Sequence, residues 1–185
     1  SYFKMTTANR RTTYIIKIAM VAIFAAMSFV CTAFLPIPIA GGQGYLNFSD
    51  TFIFILASFI SPLVGGLVGA LSGSLSDIYA GYGSFAIWTA GIKFIEGIVA
   101  GYLFILLRKT LLNKGKARYL SLSSFYIGGL LMAFLYVIPD LAMADASVAI
   151  FDLPFNILQG VVNATIATVA FIFLSKISMF ESVKL

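Results

Sequence analysis

Residues 84–107 read SFAIWTAGIKFIEGIVAGYLFILL, and these 24 residues carry only two charges, Lys93 and Glu96. About 20 mostly apolar residues are enough for a helix to cross the hydrocarbon of a bilayer. Arg108 and Lys109 follow at once, as basic residues do where a span meets the cytoplasm. This stretch is therefore a membrane span, and the two charges inside it need a reason to be there.

Outward from this span the pattern repeats. From Ile18 to Ile92 the only charged residues are Asp50 and Asp77. Over the whole chain 61% of residues are hydrophobic and 10% charged, against about a quarter charged in an average soluble domain. The reading is one all-α domain over residues 1–185, a polytopic membrane protein of six transmembrane helices. They are expected near 13–34, 46–60, 62–79, 84–107, 120–138 and 154–175. Pro62 opens the third. Pro139 and the acidic segment after it end the fifth, and the sixth starts near Pro154. The apolar run Ile18–Leu35 exceeds the roughly 7–15 residues of a signal-peptide core, so the first helix reads as retained. Residues Ser1–Lys4, ahead of Met5, read as a cloning remnant.

Basic residues set the orientation. Lys4, Arg10, Arg11 and Lys17 lie at helix 1. Arg108, Lys109, Lys114, Lys116 and Arg118 lie after helix 4, and Lys176 and Lys184 after helix 6. Both termini are expected in the cytoplasm. The opposite loops hold no Lys or Arg and carry Asp140, Asp145 and Asp152. The net charge of +5 thus reads as membrane orientation, not as nucleic-acid binding.

Small residues point to close helix packing. Gly65, Gly69 and Gly73 in helix 3, with Gly97 and Gly101 in helix 4, are expected to pack within the subunit. Ala22 and Ala26 on helix 1 give a second small-residue face, which spacing alone assigns more readily to internal packing.

Polar residues converge at one depth. Lys93 lies about nine residues, or roughly 14 Å, inside the outer end of helix 4, with Glu96 on nearly the same face. Asn156, Gln159 and Asn163 share a face in the outer half of helix 6. Two helices presenting polar groups at matched depth are expected to line an outward-facing pocket. Trp88 lies just above Lys93. Tyr45, Tyr79, Tyr82 and Tyr136 lie near the same boundary, where an aromatic belt and a pocket wall are both open readings. The uncharged Pro- and Gly-rich segment Pro36–Gly44 suits either a cover for the site or a connector.

Several chemistries are excluded. There is no histidine, so no histidine-ligated metal and no histidine-based triad. The one cysteine, Cys31, gives no disulfide framework. No P-loop and no nucleophile elbow is present. The chain is expected to be neither an enzyme nor the holder of a cofactor or metal. A stand-alone proton-coupled carrier using Lys93 and Glu96 is the competing transport reading.

The ordered set of motifs resembles the S components of energy-coupling factor (ECF) transporters. It comprises Ala19–Ala26 in helix 1, Gly44–Asp50, Ser61–Gly66, Leu75-Ser76-Asp77 and Lys93–Gly97. Within that family it looks closest to the branch of riboflavin-, pyridoxine- and hydroxymethylpyrimidine-type carriers. The resemblance implies a six-helix vitamin binder in a bacterial cytoplasmic membrane. It implies as partners a transmembrane T component and two cytoplasmic ATPases. It makes Ala22 and Ala26 the docking face and the helix 1–2 loop a lid, and it implies that the whole subunit topples to deliver its ligand. A small aromatic heterocycle of the hydroxymethylpyrimidine or pyridoxine type is the expected ligand, with riboflavin as the alternative. The expected binding residues are Tyr45, Trp88, Lys93, Glu96, Tyr136, Asn156, Gln159 and Asn163.

Overall fold

The computed structural model describes residues 7–39, 45–111 and 115–177, the side chains at 7–10 and 116–118 excepted. Among them run six α-helices: α1 (Thr7–Phe34), α2 (Ser49–Phe59), α3 (Pro62–Ala80), α4 (Ala86–Leu111), α5 (Ser123–Met143) and α6 (Ala146–Leu174). A 3-10 helix, Gly115–Leu122, leads into α5. Two short strands lie between α1 and α2. They are β1 (Ile37–Pro38) and β2 (Tyr45–Leu46), paired antiparallel with Ile37 opposite Leu46. Five helices are long and apolar enough to cross a membrane, and α2 is shorter. The chain is thus an all-α membrane protein. Of the residues weighed above, Lys4, Lys114 and Lys184 lie outside the described residues, as do Gly41, Gly42 and Gly44 and the side chains of Arg10, Lys116 and Arg118.

The short helix organises the rest. Its 11 residues span about 16 Å, roughly half the hydrocarbon thickness, and every one of them is buried. It packs against α1, α3, α4 and α6. Asp50 in its first turn complements the positive end of the helix dipole. Ser61 then caps α3 by accepting from the Val64 N–H at 3.1 Å, with Pro62 in the first turn. Only Ile60 and Ser61 separate the two helices.

Glycines let α3 meet α4. A Cβ on Gly97 would stand 2.5 Å from the Gly66 nitrogen, and one on Gly101 2.7 Å from the Pro62 side chain. The backbones therefore touch where a methyl group cannot fit. Gly129 of α5 and Gly160 of α6 meet in the same way. The glycine faces of helices 3 and 4 thus pack inside the subunit.

Phenylalanines fill one half of the interior. Phe54 of α2 stacks on Phe125 of α5, with ring centres 5.3 Å apart, and Phe104 of α4 stacks on Phe125 at 5.8 Å. Phe59 lies against Phe171 of α6 at 4.7 Å. The Arg108 guanidinium sits over Phe104 and Phe171 at 5.5 and 5.6 Å, so α4 and α6 end on the same side.

Five helices differ in their boundaries from the sequence reading. The first helix starts at Thr7, ahead of 13. The second starts at Ser49, because Tyr45 and Leu46 pair with β1. The fourth runs from Ala86 to Leu111 rather than over 84–107. Pro139 lies inside α5, which continues to Met143, and Pro154 lies inside α6, which starts at Ala146. Membrane helices tolerate proline where neighbouring helices cover the freed carbonyl. Asp140 and Asp152 are therefore buried helix residues, not loop residues. The turn between α5 and α6 is only Ala144 and Asp145. Asp145 caps α6 by accepting from the Ser147 and Val148 N–H groups at 2.7 and 3.1 Å.

Candidate functional site

Several chain ends meet at the other end of the interior. There α1, α3 and α5 finish, α2, α4 and α6 begin, and the β1–β2 hairpin lies among them. A cavity opens there with about 620 Å³ of empty space, counting the part open to solvent.

Lys93 is the cation of this cavity. It is 2% exposed and lies between Asp50, with which it forms a direct ion pair, and Glu96 at 3.3 Å. An ammonium with no partner in this setting costs several kcal/mol, roughly, so two carboxylates hold it. The close α3–α4 crossing puts Gly73 beside Thr89 and the Lys93 stem, which frames the pair. The Lys93 Nζ also faces the Tyr136 ring at 5.8 Å, within cation–π range.

Asp50 ties this pair to α6. Its Oδ2 accepts from the Gln159 Nε2 at 2.9 Å, and the Gln159 Oε1 accepts from the Asn47 N–H at 3.0 Å. Asn163, one turn deeper, accepts from the Thr51 N–H at 3.1 Å and from the Thr51 hydroxyl at 2.8 Å. Its amide donates to the Asn47 carbonyl at 2.9 Å and to the Gln159 carbonyl at 3.0 Å. Two amides on one face of α6 thus fix the entry into α2 and the first turn that carries Asp50. The hairpin is held from the opposite side, where the Tyr45 hydroxyl donates to Asp77 Oδ1 at 2.6 Å. Tyr45 also packs on Tyr82 at 5.6 Å, and Tyr136 donates to Thr89 at 3.1 Å.

Of the eight residues expected to bind ligand, Tyr45, Lys93, Tyr136, Asn156 and Gln159 line the cavity. Three do not. Glu96 is fully buried behind Lys93. Asn163 is 1% exposed, with both ends of its amide taken by the protein. Trp88 is 37% exposed at the start of α4, outside the lining. The sequence reading missed Asn47, Phe85 and Thr89 as lining residues, and Asp50 as the partner of Lys93. It also missed Asp77, Asp140 and Asp152, all of which line the cavity. A usable signal was that Asp50 and Asp77 are the only charges from Ile18 to Ile92. Ala22 and Ala26 are exposed on α1, alongside Ile18, Ile23 and Met27, so that face is not packed inside the subunit.

Among the described residues, no three acidic, histidine or cysteine side chains converge to hold a metal ion. The arrangement instead offers aromatic faces, amides and carboxyls around one pocket.

A Pyrococcus woesei protein described as "Uncharacterized protein in gap 3'region" is 37% identical over 109 residues, which is 58% of this chain and 67% of that protein. The family model for "ECF-type riboflavin transporter, S component" matches residues 12–176. That match takes in every helix that builds the cavity, and the chain belongs to the ECF-type riboflavin transporter S-component family.

Proposed function

We propose that this protein captures a vitamin-like aromatic heterocycle in the cavity beside Lys93, as the binding subunit of an ECF importer. One observation carries the reading. Tyr45, Tyr82, Phe85 and Tyr136 line the same pocket as Asn47, Asn156 and Gln159. Rings provide stacking faces for a flat ligand, and amides read its polar edge. Riboflavin is the first ligand to test, because the matching family is described by it. Pyridoxine and hydroxymethylpyrimidine follow. Titration of purified protein with each, and mass spectrometry of the ligand that co-purifies, decide among them. Micromolar or tighter binding of one supports the reading, and binding of none overturns it.

Transport needs an engine that these residues do not supply. A transmembrane T component and two cytoplasmic ATPases are the partners that fit the family. The exposed Ala22–Ala26 face of α1 is the surface for the T component. Ala22→Leu with Ala26→Leu is expected to abolish complex assembly while ligand binding by the isolated subunit persists. Loss of binding with assembly intact points to the opposite assignment. Six spans with both termini in the cytoplasm of the plasma membrane fit the basic residues, with the cavity opening outward. Cysteines placed at Asn113 and Ala146 are then expected to label from opposite sides of intact cells.

A further inference from the structure

The cavity's donors and acceptors are out of balance. Most of the donors around it are already committed within the protein. Lys93 is held by Asp50 and Glu96, and the Gln159 amide by Asp50. The Tyr45 hydroxyl is held by Asp77 and that of Tyr136 by Thr89. The acceptors are not all used. Asp140 is 4% exposed and lines the cavity, and its Oδ2 has no hydrogen-bond partner among the described residues. Asp77 is 5% exposed and lines the cavity; its Oδ1 accepts from the Tyr45 hydroxyl, the Thr89 hydroxyl lies close by, and its Oδ2 has no hydrogen-bond partner among the described residues. Asp152 faces Asp140 closely enough for the two carboxyls to interact.

A buried acceptor without a donor is costly, and more so when charged. Two of them beside one pocket are a standing demand for donors. Among the described residues no three histidine, cysteine or acidic side chains form a metal-binding group here. A ligand can answer that demand. It has to bring N–H or O–H groups, and a phosphate or carboxylate at this wall would face like charge.

We propose that Asp77 and Asp140 form a hydrogen-bond-accepting wall of the cavity that receives the donor edge of the ligand. The inference rests on the cavity being the vitamin site, and it adds which side chains read the ligand and what they read. It places the amine, ring N–H or hydroxyl groups of the ligand toward α3 and α5. The wall then selects uncharged or cationic forms over their phosphate esters.

The test uses the full chain, with riboflavin as the probe, followed by fluorescence quenching. Asp140→Asn keeps the shape of the side chain and turns one acceptor into a donor. Riboflavin affinity is expected to fall about tenfold or more, and Asp77→Asn is expected to act in the same direction. The ligand is changed in parallel, with N3-methylriboflavin capping the ring donor and tetra-O-acetylriboflavin capping the side-chain hydroxyls. One of the two is expected to bind wild-type protein about tenfold more weakly, with a clearly smaller penalty in Asp140→Asn. Which cap it is tells which edge meets the wall. If wild type binds riboflavin and both variants bind it equally well, the wall is overturned while the vitamin reading stands. If Asp140→Asn does not fold, wild type decides alone, and indifference to both caps overturns the wall. Should pyridoxine or hydroxymethylpyrimidine be the ligand that binds, its O-methyl ethers take the place of the capped flavins. If wild type binds none of the three, both proposals fall together.

Discussion

The two ends of α2 are equally buried and held in different ways. Its first turn carries Ser49, Asp50 and Thr51, each engaged by a hydrogen bond or ion pair from another segment. Its second half carries Phe54, Leu56 and Phe59, which belong to the apolar core. The apolar end is a close-packed stack whose contacts are many and individually weak. The polar end depends on a few directional contacts that reach to residues 43 to 112 positions away. An interior can therefore be dry and rigid at one end and still leave carboxyl oxygens open to a ligand at the other.

The sharpest way to break this comparison is to injure each end by a similar amount. Phe125→Ala removes the ring shared by Phe54, Phe104 and Phe171 and is expected to cost about 3–5 kcal/mol. Lys93→Met leaves Asp50 and Glu96 as buried like charges, at a comparable cost of about 3–5 kcal/mol. Denaturation in detergent checks both. Ligand affinity separates them: it is expected to stay within about twofold in Phe125→Ala and to fall at least about tenfold in Lys93→Met. Equal affinity loss in both means that the two ends are not independent.

A smaller effect sharpens the polar end. Asn163 lies outside the cavity lining but braces Asn47 and Thr51. Asn163→Leu is expected to lower stability by about 2 kcal/mol, since the Thr51 N–H and hydroxyl lose their acceptor. Affinity is expected to fall indirectly, through the Asn47 it releases. A loss of affinity at unchanged stability puts Asn163 in contact with ligand instead.

The smallest effect belongs to the turn between α5 and α6. The Ser147 hydroxyl, with the backbone N–H groups of Val148 and Ser147, holds the Asp145 carboxyl below the usual carboxylate range. A carboxyl whose folded pKa is lowered stabilises the fold above its unfolded value and ceases to as pH falls through the folded one. Asp145→Ala is expected to lower the melting temperature slightly at pH 7, and the difference is expected to persist down to the ordinary aspartate value of about 3.9 and to fade only as pH falls further, through the lower folded value. A gap that persists below that folded value removes the charge from the explanation.

The sequence made the long helices legible, because lipid demands about 20 apolar residues and leaves few alternatives. It placed five cavity residues, since Asn156 and Gln159 follow helical spacing and Lys93 has no business in lipid. It failed on Pro139 and Pro154, where water-based rules about proline were applied to helices that neighbours cover. Failing there turned Asp140 and Asp152 into loop residues and hid the acidic side of the pocket. Lys93 was paired with Glu96 because they are three apart, and its contact with Asp50 was missed because they are 43 apart. Asn163 was misjudged for a related reason. Spacing shows which face an amide shares, but not whether the protein has already taken its hydrogen bonds.

The shortness of α2 also bears on the order in which the chain is made. At about 16 Å and with an aspartate in its first turn, it has no stable home in lipid by itself. The ammonium that neutralises Asp50 in the finished protein is synthesised 43 residues later, on α4. The amides that brace the same turn come later still, on α6. A nascent chain stopped after α3 therefore holds an acid without its cation, and α2 cannot settle until the second half of the protein arrives to enclose it.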